Sequence, residues 1–116
     1  MELPGAPALT VDTSSEQSDS MVRVSGSLVV DTSPQLRAFL LQAIERRVGP
    51  AIVIDLSGVS YLDTSGIATL LDAARVARAH AVRLRVIGVA GEPKMLAQVT
   101  EMDRIFLALG SAVEFV

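Results

Sequence analysis

The chain has 116 residues, half of them hydrophobic, and ten basic against thirteen acidic residues give a net charge of −3. That length fits one domain, and three Phe, one Tyr and no Trp mean that its core is aliphatic. No basic stripe is present to follow a nucleic acid, no cysteine can form a disulfide, act as a thiol catalyst or build the usual zinc site, and no apolar run approaches the ~18–20 residues that span a bilayer.

Met1-Glu2-Leu3-Pro4-Gly5-Ala6-Pro7 lacks the basic start and apolar stretch of a signal peptide. Residues 1–7 therefore read as a flexible tail on a cytoplasmic protein, and residues 8–116 as the domain. Ala8 to Thr13 alternates weakly and predicts a strand; Ser14 to Ser20 is polar and turn-like. Met21 to Gly26 alternates again, so the two strands form a hairpin, and Leu28-Val29-Val30 continues the apolar character. Thr32-Ser33-Pro34 predicts a helix start with a hydroxyl cap and Pro34 in the first helical position. Leu36, Leu40, Ala43 and Ile44 then form the apolar stripe of a helix ending at Gly49-Pro50.

Ala51 to Leu56 is a near-continuous apolar run, the pattern of a central parallel strand covered on both faces. A short loop follows and delivers Asp63-Thr64-Ser65-Gly66 to a second helix, roughly Ser65 to His80, with Ile67, Leu70, Leu71, Ala74 and Ala77 inward. Val82 to Val89 predicts another strand. Glu92-Pro93 opens a third helix with Leu96, Val99 and Met95 inward. Met102 to Leu109 reads as a further helical turn or short helix, and Ala112 to Val116 as a final strand. The order β-β-α-β-α-β-α-β predicts an α/β fold. Its mostly parallel sheet has one antiparallel edge strand, with helices packed on it.

Polar chemistry concentrates at Asp63 to Gly66. One reading is structural: Ser65 or Thr64 caps the helix, Gly66 permits close packing and Asp63 favours the positive helix end. The other is functional. The corner lies at the carboxyl end of a parallel strand, the rim where open α/β sheets bind ligands. A phosphate on Ser65 suits a helix N-terminus and brings about two negative charges to that rim. Other chemistry finds no support. Asp12, Asp55, Asp63 and Asp103 match no metal-binding loop, His80 has no partner at a recognisable spacing, and neither a Gly-x-Ser-x-Gly elbow nor a P-loop is present. No catalytic residue, metal ligand or cofactor site emerges.

At these residues the chain resembles the STAS domain family, most closely the bacterial anti-sigma factor antagonists. Val53 to Ile67 is similar to the family's strand, loop and Asp-Ser/Thr-Ser-Gly motif. Thr32-Ser33-Pro34-Gln35-Leu36 is similar to the start of its first helix, and Met102-Asp103-Arg104-Ile105-Phe106 to the run before its last strand. The resemblance implies a binding module rather than an enzyme. The unmodified protein would dock on an anti-sigma factor that is also a serine kinase and so free a sigma factor. The kinase would phosphorylate Ser65, and a serine phosphatase would reverse it. The partner-binding set it implies is Asp63, Thr64, Ser65 and Gly66, with Asp31 and Ser33 on the neighbouring segment. Where the family often has Gly-Glu-Leu-Asp, this chain has Gly26-Ser27-Leu28-Val29, and the resemblance leaves Asp31 as a partial compensation for the missing acids. Many relatives carry a further helix after the last strand; its absence after Val116 leaves sheet surface for a homodimer or a partner to cover. The alternatives are a STAS accessory subunit of a phospholipid-transport ATPase, in which Thr64 matters more than a phosphate on Ser65, and a stressosome-type scaffold.

Overall fold

The computed structural model describes residues 7–16, 19–46 and 50–116. The predicted tail lies outside these residues except for Pro7, as do residues 47–49 at the predicted end of the first helix. The elements are β1 (Leu9–Glu16), β2 (Asp19–Leu28), α1 (Ser33–Arg46), β3 (Ala51–Leu62), α2 (Thr64–Ala79), β4 (Arg83–Val89), α3 (Gly91–Val99), α4 (Met102–Ala108) and β5 (Ala112–Phe115). One five-stranded sheet has the order β1-β2-β3-β4-β5, with β1 antiparallel to β2 and every other pair parallel. The predicted architecture is therefore the observed one, with Met102–Ala108 a helix in its own right.

Sequential strands that always step in the same direction through right-handed crossovers place their helices on one face. Helix α1 lies on α2, α2 on α4, and α3 on both α4 and β3. The core between helices and sheet joins Leu36, Leu40 and Ile44 of α1 to Val22 and Val24 of β2, Ile52 and Ile54 of β3, and Leu84 and Val86 of β4. The expected central strand is the observed one: β3 pairs with β2 and β4 in parallel, its residues Ile52 and Ile54 lie in the core, and Val53, on the opposite face, is also buried.

The predicted loop after Leu56 is also corrected. β3 continues to Leu62 as a bulged strand. Its pairing with β2 steps from Arg23↔Asp55 to Ser25↔Gly58, and again from Gly26↔Val59 to Ser27↔Tyr61, so β3 carries one extra residue at each step. Two bulges break the period-two alternation, which is why the segment does not read as a strand. Asp55 supports the first bulge: its Oδ1 accepts from Ser57 N at 2.9 Å. Gly88, at φ +76, lets β4 pass this turn, because a Cβ there would lie 2.7 Å from the same oxygen.

The hydroxyl cap predicted for α1 is not made. Thr32 Oγ1 accepts from Val29 N (3.0 Å) and donates to Ser27 O (2.6 Å), closing the turn before the helix instead of serving its N–H groups. In α3 the predicted inward face is rotated in part: Leu96 packs against the core as expected, but the other two residues do not. Met95 and Val99 are 66% and 81% exposed, while Pro93 and Ala97 are buried. Starting the helix at Gly91 fixes this phase, and Met102, in α4, is the methionine that fills the core.

Arg85 donates to Glu114 across β4 and β5. That hydrogen bond, reinforced by the guanidinium charge and opposed by slight desolvation, holds the Glu114 carboxyl below its ordinary pKa. A lowered folded pKa gives a stabilisation that is present above the ordinary carboxylate range and is lost as pH falls through the folded value. Glu114→Gln is expected to lower the urea midpoint at about pH 7, and by progressively less as the pH falls below the ordinary carboxylate range; a loss that does not change with pH would exclude this linkage. Met102→Ala is expected to cost ~2–5 kcal/mol in urea unfolding. Met95→Ala should stay within about 0.5 kcal/mol; the reverse order would contradict the rotation of α3.

Candidate functional site

Asp63 is the single residue between β3 and α2. Its backbone is extended (φ −112, ψ −177), and its Oδ1 accepts from Gly66 N at 3.1 Å, so Asp63 is the N-cap of α2. This corrects the expectation that Ser65 or Thr64 caps. Both already lie inside the helix, whereas a cap needs an extended backbone one residue before it. The first helical bond runs from Ile67 N to Asp63 O at 3.1 Å.

The second carboxylate oxygen works in another direction. Asp63 Oδ2 accepts from Val30 N at 3.1 Å, and Asp63 N donates to Leu28 O at 3.2 Å. The segment linking β2 to α1 is thereby fastened to the start of α2. Gly66 is what allows the approach. A Cβ there would stand 2.5 Å from Leu62 Cδ1 and 2.8 Å from Leu28 O. The close packing expected of Gly66 is thus a three-way contact of β2, β3 and α2.

With Asp63 and Gly66 committed to structure, Thr64 and Ser65 are left over. Thr64 is exposed and Ser65 half-buried. Among the described residues, neither their hydroxyls nor their N–H groups meet a protein partner. They occupy the first two positions of a 16-residue helix, where the positive end of the dipole and unpaired donors favour negative charge. Asp31 is exposed and follows the pinned Val30 directly. Ser33 is placed differently: it is buried at 5% exposure, at the first residue of α1, and its Oγ has no partner among the described residues.

Two further rim residues were not singled out in the sequence. Val30 is 64% exposed and Tyr61 53% exposed. Val30 sits in the turn after β2 and is held by the Asp63 clamp, and Tyr61 follows the second bulge of β3. The signal for Val30 was its position: of two adjacent valines entering a turn, only one can face the core, and Val29 is the buried one. The corner thus presents an unmodified hydroxyl, a carboxylate and two exposed apolar side chains on a rigid frame. His80 is at the opposite end of α2, where its Nδ1 lies 2.9 Å from Val76 O. Among the described residues no group of acidic or histidine side chains could hold a metal ion, and no helix is long and apolar enough to cross a membrane.

A family model described as "Mlab, STAS domain" matches residues 10–110. An anti-sigma factor antagonist from Mycobacterium paratuberculosis superposes with a TM-score of 0.77 at 23% identity, over 90% of this chain and 86% of that one. The Bacillus cell fate determinant SpoIIAA in its phosphorylated form gives 0.66 at 18% identity, over 94% and 91%. SpoIIAA in its unphosphorylated form, an anti-sigma factor antagonist, gives 0.62 at 22%, over 78% and 82%. At these identities the structural likeness establishes a common fold. With the family model spanning nearly the whole domain, the chain belongs to the STAS domain family.

Removal of the carboxylate should be felt on both sides of the corner. Asp63→Ala is expected to cost ~1–3 kcal/mol by urea unfolding. Asp63→Asn, which keeps one acceptor for the cap, should cost less. In both variants the Val30 amide should exchange faster with solvent; unchanged Val30 protection would contradict the clamp.

Proposed function

We propose that this STAS domain is an anti-sigma factor antagonist whose rim at Asp31, Thr64 and Ser65 docks on an anti-sigma factor. That partner is also a serine kinase, and docking releases a sigma factor. Phosphorylation of Ser65 ends the complex, and a serine phosphatase restores it. The observation that carries this reading is the free Ser65 hydroxyl on a corner whose structural bonds are all made by its neighbours.

The physical consequence of a phosphate at Ser65 has two parts. Within the molecule it is tolerated: it bonds to none of the groups that hold the fold, and it lies at the positive end of α2. Toward a partner it is costly. It adds roughly −1.5 to −2 charge to the corner at which Asp63 ties the Val30 turn to the start of α2. A docked protein would have to desolvate that charge or repel it. The fold survives and the interface fails, which is the behaviour of a reversible switch. Nothing in this scheme asks the domain to catalyse a reaction, and it places the protein in the cytoplasm with its kinase.

A second reading draws on the description of the matching family, which names Mlab. The domain would then be an accessory subunit of a phospholipid-transport ATPase, and exposed Thr64 would contribute more to docking than a modified Ser65.

Incubation with the candidate kinase and ATP, followed by mass spectrometry, distinguishes the two. The first reading expects one phosphate on Ser65, absent from Ser65→Ala. It also expects Ser65→Ala to keep partner affinity within about threefold and Ser65→Glu to lose at least about tenfold. A Thr64→Ala variant that abolishes docking while both Ser65 variants bind equally would favour the second.

A further inference from the structure

At the pole opposite Ser65, α1 and the β1–β2 hairpin enclose a groove of 420 Å³. β2 and β3 run in parallel toward the rim, so Ser20 and Val22, near the start of β2, lie far from it. Helix α1 runs back from Ser33 beside the rim to Arg46 beside the groove. The volume is within the ~300–1,000 Å³ usual for small-molecule sites.

The lining divides into two kinds. Val22, Phe39 and Ala43 make an apolar floor and wall. Thr13, Ser14 and Ser20 bring hydroxyls from the hairpin, and Gln42 and Arg46 bring an amide and a guanidinium from successive turns of α1. Two of these polar groups lack a partner among the described residues. The Ser14 hydroxyl oxygen is shielded from solvent and makes no hydrogen bond with any of them. Arg46 makes no ion pair or hydrogen bond among the described residues. No carboxylate is part of the described lining, so its one charge is positive. A buried hydroxyl without a partner costs free energy that a bound polar group can recover.

We propose that this groove binds a small amphipathic monocarboxylate with an aliphatic chain. The chain lies on Phe39, Val22 and Ala43, and the carboxylate meets Arg46 with help from Gln42. One guanidinium and one amide suit a single carboxylate, which Arg can hold through paired N–H bonds. The single aromatic wall and single cation are too few for a nucleotide, whose base and phosphates would each need partners. Arg46 also complements the C-terminal dipole of α1 whether or not a ligand binds, so its charge alone decides nothing. The apolar wall, the unpartnered hydroxyl and the absence of a described competing acid give the charge a use.

The test is an amide NMR titration of the full chain with octanoate and, separately, with 1-octanol. Octanoate should give saturable shifts at Thr13, Ser20, Gln42 and Ala43. Arg46→Gln, a change at an exposed residue, should weaken octanoate about tenfold and leave octanol unchanged. Phe39→Ala should weaken both ligands. Three results would overturn the proposal: no saturable shift, equal octanoate affinity in Arg46→Gln, or shifts centred on Thr64–Ser65 or on the Met95–Val99 face of α3.

Discussion

The Asp63 carboxylate organises the functional end of this domain. One oxygen caps α2 through Gly66, and the other holds the turn after β2 through Val30. Without the first bond a helix terminus would be left with an unmet donor; without the second, two segments distant in sequence would keep only the Asp63 N to Leu28 O bond as a polar tie. Gly66 brings them close enough, since any side chain there would collide with Leu62 and Leu28. The two bulges in β3 set where Asp63 falls, because each extra residue changes the phase of the strand before it reaches the helix. The Ser65 hydroxyl carries no structural bond among the described residues because Asp63, and not Ser65, does the capping.

The large elements were legible because each carries its own periodicity and punctuation. Leu36, Leu40 and Ile44 mark α1, and Ile67, Leu70, Ala74 and Ala77 mark α2; all are buried. The right-handed crossover rule then leaves little choice of topology. What was not legible depends on tertiary phase. The second half of β3 read as a loop because its bulges destroy alternation. Met95 and Val99 read as inward because a short helix fits several apolar stripes, and only the start at Gly91 selects one. The role of Thr32 was hidden for a similar reason: a threonine before a helix can cap forward or close the turn behind it, and here it does the latter. At the site, the motif located the corner but not the division of labour within it. An aspartate one residue upstream took the cap that a serine or threonine could also have taken.

These features fit a docking surface better than a reaction centre. Catalysis requires a base or metal aimed at a reacting atom, whereas both Asp63 oxygens accept backbone hydrogen bonds and the lone histidine lies at the far end of α2. A docking rim requires rigidity and exposed side chains, and Val30, Tyr61, Thr64 and Asp31 provide the latter on a clamped backbone. Neither Ser27 nor Val29 is acidic, and Val29 is buried. The exposed side chains of this edge are Val30 and Asp31, one apolar and one acidic.

Under the proposed function, a phosphate on Ser65 closes the docking rim without unfolding it. Calorimetric titration of the kinase partner with unmodified protein and with protein carrying phosphoserine at position 65, paired with amide exchange at Val30, tests it most directly. The account predicts at least about a hundredfold loss of affinity, equivalent to ~3 kcal/mol, with Val30 protection unchanged. Equal affinities, or a loss accompanied by release of the Val30 amide, would contradict it.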